Sequence, residues 1–246
     1  MKIRVGHLYP EYLNIYADRG NIAVLAERAR ARGHELDVVP VGLGDRVPAG
    51  GIDLFYIGGG QDREQALVAP DLQAKSAALH DAAGEGAVVL GVCGGYQLLG
   101  RLYRDRSGAD LPGVGLLPLE TLAGERRMIG DVLLECSWAD ETLAGFENHA
   151  GRTILDSGAE PLGRVIAGFG NDGASGFEGC RRGRVYGTYL HGPLLPRNPW
   201  FADLLLEEAL MHATGETLEL EPLADELEHR AHAVSAERAR ARGGRF

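Results

Sequence analysis

Two groups in this chain are best equipped for covalent chemistry: a cysteine set among glycines and a histidine that ends an apolar run. Cys93 stands in Gly91-Val92-Cys93-Gly94-Gly95-Tyr96-Gln97. A thiol attacks acyl carbons once a nearby base takes its proton. Of the eight histidines, His191 is placed best for that task, because it closes the run Val185–Leu190 and precedes Gly192, which leaves the ring room to reach a bound molecule. His34, His80, His212, His229 and His232 fall on helix faces or helix ends and read mostly as solvated. His7 ends the first strand, and His149, in Phe146-Glu147-Asn148-His149, reads as structural or substrate-facing. The bland alternative for Cys93 is a buried structural cysteine in a glycine-rich turn.

The elements around these residues favour the chemical reading. Ala87–Leu90 is apolar, rich in β-branched residues and without polar alternation, as in a strand buried on both faces. Tyr96–Leu99 opens a helix, so Cys93 sits on a strand-to-helix turn, an elbow that needs small neighbours. Asp53–Ile57 is a second buried strand, and it runs into Gly58-Gly59-Gly60-Gln61-Asp62. In a parallel sheet both turns share one edge. Backbone N–H groups at Gly60 and Gly94 could then form an oxyanion hole.

The other elements complete the pattern. Ile3–Leu8 reads as the first strand and Leu36–Val41 as the second. A helix from about Asn21 turns Ile22, Leu25, Ala26 and Ala29 to one face and stops at Gly33. Asp18 and Asn21 read as caps of that helix, with a binding or partner-contact role for the loop 18–21 left open. A helix after Gly60 carries Leu72 and Leu79 inward, with Pro70 expected in its first turn. Right-handed crossovers make such an order an α/β doubly wound, mostly parallel sheet. Beyond Val114 the chain reads as strand-rich on the same core, with short strands at Gly113–Leu119, Met128–Cys136, Gly163–Ala167 and Ser175–Gly179. Asn198-Pro199 opens a helix carrying Phe201, Leu204 and Leu205 and closed by Gly215. One domain is expected over 1–215. Residues 216–246 read as a charged, solvated helix, with Leu223 and Leu227 at helical spacing, fraying into a disordered tail.

Composition narrows the function. Net charge is −10, from 25 basic and 35 acidic residues, which argues against nucleic acid as a partner. Cys93, Cys136 and Cys180 are odd in number and scattered, suggesting neither a disulfide framework nor a metal site and fitting a reducing cytoplasm. The N-terminus runs straight into a strand pattern, so no signal peptide is expected, and no apolar run has transmembrane length. Lysine occurs only at Lys2 and Lys75, neither in a Walker-type loop, so no ATP site of that kind is expected.

Gly91-x-Cys93-x-Gly95-x-Gln97 with a distant strand ending in His191 resembles the class I glutamine amidotransferases, on a flavodoxin-like core. Tyr9-Pro10, Asp18-Arg19-Gly20-Asn21, Gly58–Asp62, Gly145–His149 and Tyr189–Pro196 place the resemblance in the cobyric-acid-synthase branch of that family, over roughly residues 3–210. It implies that Cys93 attacks the side-chain amide of L-glutamine, that His191 is the base, and that Gln97 and Arg127 contact the substrate. Arg127 would take the α-carboxylate, with Arg126 as the alternative. The resemblance further implies a heterodimer with an ATP-dependent, Mur-ligase-like synthetase that amidates the D-glutamate of lipid II in peptidoglycan synthesis. ATP and magnesium would belong to that partner, with no cofactor in this chain. The broad family carries a glutamate two residues after the histidine. Here Pro193 stands there, and Glu147, Asp172 and Glu178 are unranked substitutes. Competing readings are a stand-alone cysteine hydrolase of γ-glutamyl bonds, an amidotransferase for a cobyric-acid-type acceptor, a redox sensor using Cys93, and a degenerate scaffold subunit.

Overall fold

The computed structural model describes residues 1–15 and 19–242, so the expectation for Asp18 lies outside the described residues. Its first sheet has six strands: β1 (Lys2–Leu8), β2 (Glu35–Val41), β3 (Leu54–Ile57), β4 (Val88–Val92), β11 (Cys180–Arg182) and β12 (Val185–Thr188). They lie in the order β2-β1-β3-β4-β12-β11. All neighbours are parallel except the edge pair β11–β12. The apolar runs behave as their composition requires: β3, β4 and β12 are buried at every residue, while the edge strand β2 is mostly half-exposed. The chain steps outward from β1 in both directions. Right-handed crossovers then place α1 (Arg19–Ala31) on one face and α2 (Asp62–Ala74) with α3 (Ser76–Gly84) on the other. α5 (Pro199–Thr214) packs beside α1.

The strand-rich half is a second sheet that contributes to the same core. It contains β5 (Leu102–Arg104), β6 (Asp110–Pro112), β7 (Leu119–Glu135), β8 (Thr142–Leu155), β9 (Gly163–Ala167) and β10 (Phe177–Glu178). The order is β10-β9-β7-β5-β6, with β8 on the other side of β7. Leu119, Val132, Leu134, Leu143 and Leu162 of this half join Val89 and Leu90 in one apolar cluster.

Several expectations change in detail. The strand foreseen at Gly113–Leu119 begins only at its last residue, because Gly113 is pressed against the Gly100 carbonyl and its N–H goes to Arg101. From Leu119 the chain runs unbroken to Glu135, pairing with β8, a strand the sequence reading did not propose. Ser175–Gly179 shrinks to the two residues of β10. Pro70 lies deep inside α2, not in its first turn, because the helix starts directly at Asp62 after the glycine turn. Asn21 does not cap α1. It is buried, donates to the Tyr56 hydroxyl at 2.9 Å and accepts the Leu195 N–H at 2.8 Å, tying α1 to β3 and to the segment after His191.

The C-terminal helix α6 (Glu226–Arg242) is docked, not solvated. Ala236 and Ala239 pack with Leu133, Ala144 and Ala167 of the second sheet, whereas Leu227 points to solvent. Small residues let the helix lie close, so the docking face carries no large apolar side chain. Arg238 donates to Asp131 at 2.8 Å, and His232 bridges the Thr142 hydroxyl and the Arg197 carbonyl. Arg28, paired with Asp203 and Asp225, anchors the segment leading into α6.

Candidate active site

β4 delivers Cys93 to a turn too tight for ordinary backbone. Cys93 has φ 52° and ψ −106°, a conformation that L-residues rarely adopt. Its N–H donates to the Thr188 carbonyl at 2.8 Å, and the Gly95 N–H to the Gly58 carbonyl at 3.0 Å. These bonds lock the elbow between the ends of β12 and β3. The glycines are sterically required. A Cβ at Gly91 would lie 2.5 Å from Leu99 Cδ1, and one at Gly94 only 2.9 Å from the Gly60 backbone nitrogen. That close approach sets the two expected oxyanion donors side by side, at the carboxyl edge of the parallel strands where open α/β sheets place their sites.

Cys93, Gly60, Gln97 and Arg127 line one cavity of about 650 Å³. Gln97 projects from α4 (Gly94–Leu99), one turn past the cysteine, and donates to the Tyr189 hydroxyl at 3.1 Å. Arg127 comes from an irregular stretch. Between the pairs Ala123↔Gly151 and Met128↔His149, β7 carries extra residues that bulge out of register. The bulge aims Arg127 at the cavity, where it donates to the Asn148 side-chain and backbone oxygens at 2.9 and 2.8 Å. Arg126 is not among the lining residues.

His191 is fully enclosed and does not line this cavity. It continues β12, whose Thr188 is paired with Val92, so histidine and cysteine leave neighbouring parallel strands at the same edge. The second sheet grips it from the other side. The His191 N–H donates to Phe146 O at 2.8 Å, and the Phe146 N–H returns to His191 O at 3.2 Å. Gly145 lets β8 come this near, since a Cβ there would lie 2.8 Å from Leu190 Cβ.

A buried polar network backs the cavity. His149 lines it and stacks on Tyr189 with ring centroids 3.5 Å apart and planes 2° apart. Its Nδ1 pairs with the Gly151 carbonyl at 2.9 Å, and its Nε2 stands 3.6 Å from Glu147 Oε2. Burial lowers the His149 pKa and favours the neutral ring. The three acidic candidates differ in setting. Asp172 caps a turn at Ala174 and Ser175. Glu147 accepts the Phe169 and Gly170 N–H groups beside His149. Glu178 lies under the end of β12, accepting the Thr188 hydroxyl at 2.9 Å and the Tyr189 N–H at 2.6 Å.

Burial raises the Glu178 pKa to about 8. The folded protein thus holds a proton that the unfolded chain releases near the ordinary carboxylate pKa. The stability linked to that proton is complete below the unfolded value and is lost as pH rises through about 8. A melting series from pH 4.5 to 8.5 is expected to show a falling midpoint, and Glu178→Gln to flatten the fall.

Sequence reasoning missed part of the cavity. Tyr103, Arg106 and Ile129 line it, and Asp62 and Arg63 do so from the start of α2. Their distance in sequence from Cys93 gave no periodic or motif signal, apart from Asp62 in the glycine-turn motif. Among the described residues no cluster of metal-binding side chains occurs, and no helix is long and apolar enough to cross a membrane.

A thiol on a strained elbow, beside paired backbone donors and above an arginine-rich cavity, belongs on the fold of the class I glutamine amidotransferases. That fold recurs in PurLQS from Thermotoga maritima, with a TM-score of 0.57 and 17% identity over 87% of this chain and 99% of that one. It recurs in the glutaminase domain of Trypanosoma brucei CTPS, with a TM-score of 0.53 and 12% identity over 89% and 96%. Residues 4–199 match the CobB/CobQ-like glutamine amidotransferase domain, and the chain belongs to that family as a glutamine-hydrolysing enzyme. The Staphylococcus aureus lipid II isoglutaminyl synthase subunit GatD is 39% identical over 97% of this chain and 96% of its own length. The Streptococcus pneumoniae GatD is 39% identical over 91% of this chain and 86% of its own.

Proposed function

We propose that this chain is the glutaminase subunit of a lipid II isoglutaminyl synthase and that Cys93 and His191 are its nucleophile and base. Cys93 Sγ attacks the side-chain amide carbon of L-glutamine, and His191 takes the thiol proton. The tetrahedral oxyanion is held by the N–H groups of Gly60 and Gly94. Collapse of that intermediate, with the proton returned by His191, releases ammonia and leaves a γ-glutamyl thioester. Water, deprotonated by His191, hydrolyses the thioester to glutamate. Gln97 contacts the bound glutamine and Arg127 holds its α-carboxylate. Ammonia passes to a Mur-ligase-like synthetase subunit, which supplies ATP and magnesium and amidates the D-glutamate of lipid II in the cytoplasm. The observation that carries the reading is Cys93 held at its strained elbow with Gly60 and Gly94 beside it, in a chain aligned almost end to end with two GatD subunits.

The test is ammonia release from L-glutamine by the purified chain, alone and with its synthetase subunit. Release that requires both Cys93 and His191 and rises with the partner is the expected result. Cleavage of γ-glutamyl peptides without glutamine turnover would replace the amidotransferase reading by the hydrolase one. Arg127→Ala keeps the exposed bulge and removes a charged contact made alike in ground and transition states. Its KM for glutamine is expected to rise about 10- to 100-fold at nearly unchanged kcat.

A further inference from the structure

Among the described residues, the Cys93 cavity is lined by one carboxylate, Asp62, and by three guanidinium groups, Arg63, Arg106 and Arg127. An L-glutamine molecule presents a zwitterion at its far end. One arginine answers the α-carboxylate, which leaves an α-ammonium for which the described cavity walls offer Asp62. We propose that Asp62 is the specificity-determining residue that binds the α-ammonium of the substrate, so that the enzyme accepts free glutamine and rejects glutamine lacking that charge. This rests on the glutaminase reading above.

The backbone fixes the reach. Asp62 is two residues beyond Gly60, and two residues of extended chain span at most about 7 Å. Gly60 itself lies against Gly94, next to the thiol, as the 2.9 Å approach to a Cβ at Gly94 shows. Asp62 therefore lines the same cavity as Gly60 and Cys93. Its orientation is set from the other wall of the cavity: the Tyr103 hydroxyl, from β5, donates to Asp62 Oδ1 at 2.8 Å. Among the described residues, Asp62 Oδ2 accepts no hydrogen bond and no cationic side chain pairs with Asp62. Arg127 donates to the neutral Asn148, and among the described residues none of the three arginines forms an ion pair. Asp62 is exposed at the cavity wall, so its second oxygen is open to a charge that arrives from outside.

Asp62 also begins α2, where a negative side chain interacts favourably with the helix dipole. That purely structural role would be indifferent to the substrate, and the test separates the two. Ammonia release is measured with L-glutamine and with glutaramate, the same amide and carboxylate without the α-ammonium, for the wild-type chain with its synthetase and for Asp62→Asn. The wild type is expected to prefer glutamine by 100-fold or more in kcat/KM. Asp62→Asn is expected to raise the KM for glutamine about 10- to 50-fold, to leave glutaramate turnover within about 3-fold, and so to collapse the preference. An unchanged preference, with both substrates affected alike or neither affected, would overturn the proposal. If the wild type releases ammonia from neither substrate, the glutaminase reading itself falls. If it turns over glutamine but Asp62→Asn keeps the preference, only the assignment of Asp62 does. Asp62→Glu, which restores the charge one methylene further out, is expected to recover part of the preference, and an equal loss in both variants would also count against it.

Discussion

Cys93→Ala is expected to abolish ammonia release from glutamine, with kcat falling by about 10⁴-fold or more. Removing a nucleophile deletes the covalent route altogether, and what remains is binding plus the oxyanion donors acting on water. The variant should fold. The side chain is small, and the elbow is held by the Cys93 and Gly95 backbone N–H groups, which the substitution leaves in place. Cys93→Gly separates the two roles of the position. It loses the same activity, and it relieves a backbone that an L-residue occupies at φ 52° at a cost of about 1–3 kcal/mol. Its melting midpoint is therefore expected to lie above that of Cys93→Ala. Ammonia release and thermal melts of the two variants check both statements. Glutamine turnover above a tenth of wild type in either would remove Cys93 from the mechanism.

The second large effect is on folding. Gly95→Ala is expected to destabilise the chain by about 3 kcal/mol or more and to yield little native protein. A Cβ at Gly95 would collide with the Ile57 carbonyl oxygen, and would lie 2.8 Å from the carbon of that carbonyl and 2.9 Å from Gly58 O. All three are backbone atoms of β3 and the turn after it, and β3 is paired on both sides and buried throughout. No side chain can swing away, so the elbow must open or β3 must shift. Gly33→Ala is the instructive contrast. A Cβ there meets nothing, and the cost is only that of a left-handed backbone at φ 73°. Denaturant unfolding of both variants should rank them in that order.

The central sheet was legible because buried parallel strands announce themselves as apolar, β-branched runs, and because glycines cluster where two turns must interlock. Gly91, Gly94 and Gly95 around Cys93 could be read directly, since the steric demand is local. The second sheet was harder. β7 is a long strand whose polar bulge at 124–127 breaks the alternation that identifies strands, so it read as two pieces with different ends. α6 was misread for a related reason. Its docking face is built from alanines at Ala236 and Ala239, which no hydropathy pattern separates from a solvated charged helix. The cavity wall from Tyr103 and Arg106 was invisible because only the tertiary fold brings β5 and the loop after it opposite Cys93. Asn21 shows the opposite error: its residue type fits a helix cap, and burial against Tyr56 and Leu195 overrode the local preference.

The two backbone bonds between Phe146 and His191 make the histidine the shared property of two sheets. The thiol has no such divided attachment, since its anchors lie on Thr188 and the glycine turn of the first sheet. Between the two attachments the chain has only Tyr189 and Leu190 in which to turn. The β7–β8 hairpin is therefore a lever with its short arm at His191. A tilt of the hairpin would be carried to the His191 backbone through these two hydrogen bonds. Its exposed residues away from the cavity, Leu122 and Ile154, are the long arm on which such a tilt would be applied.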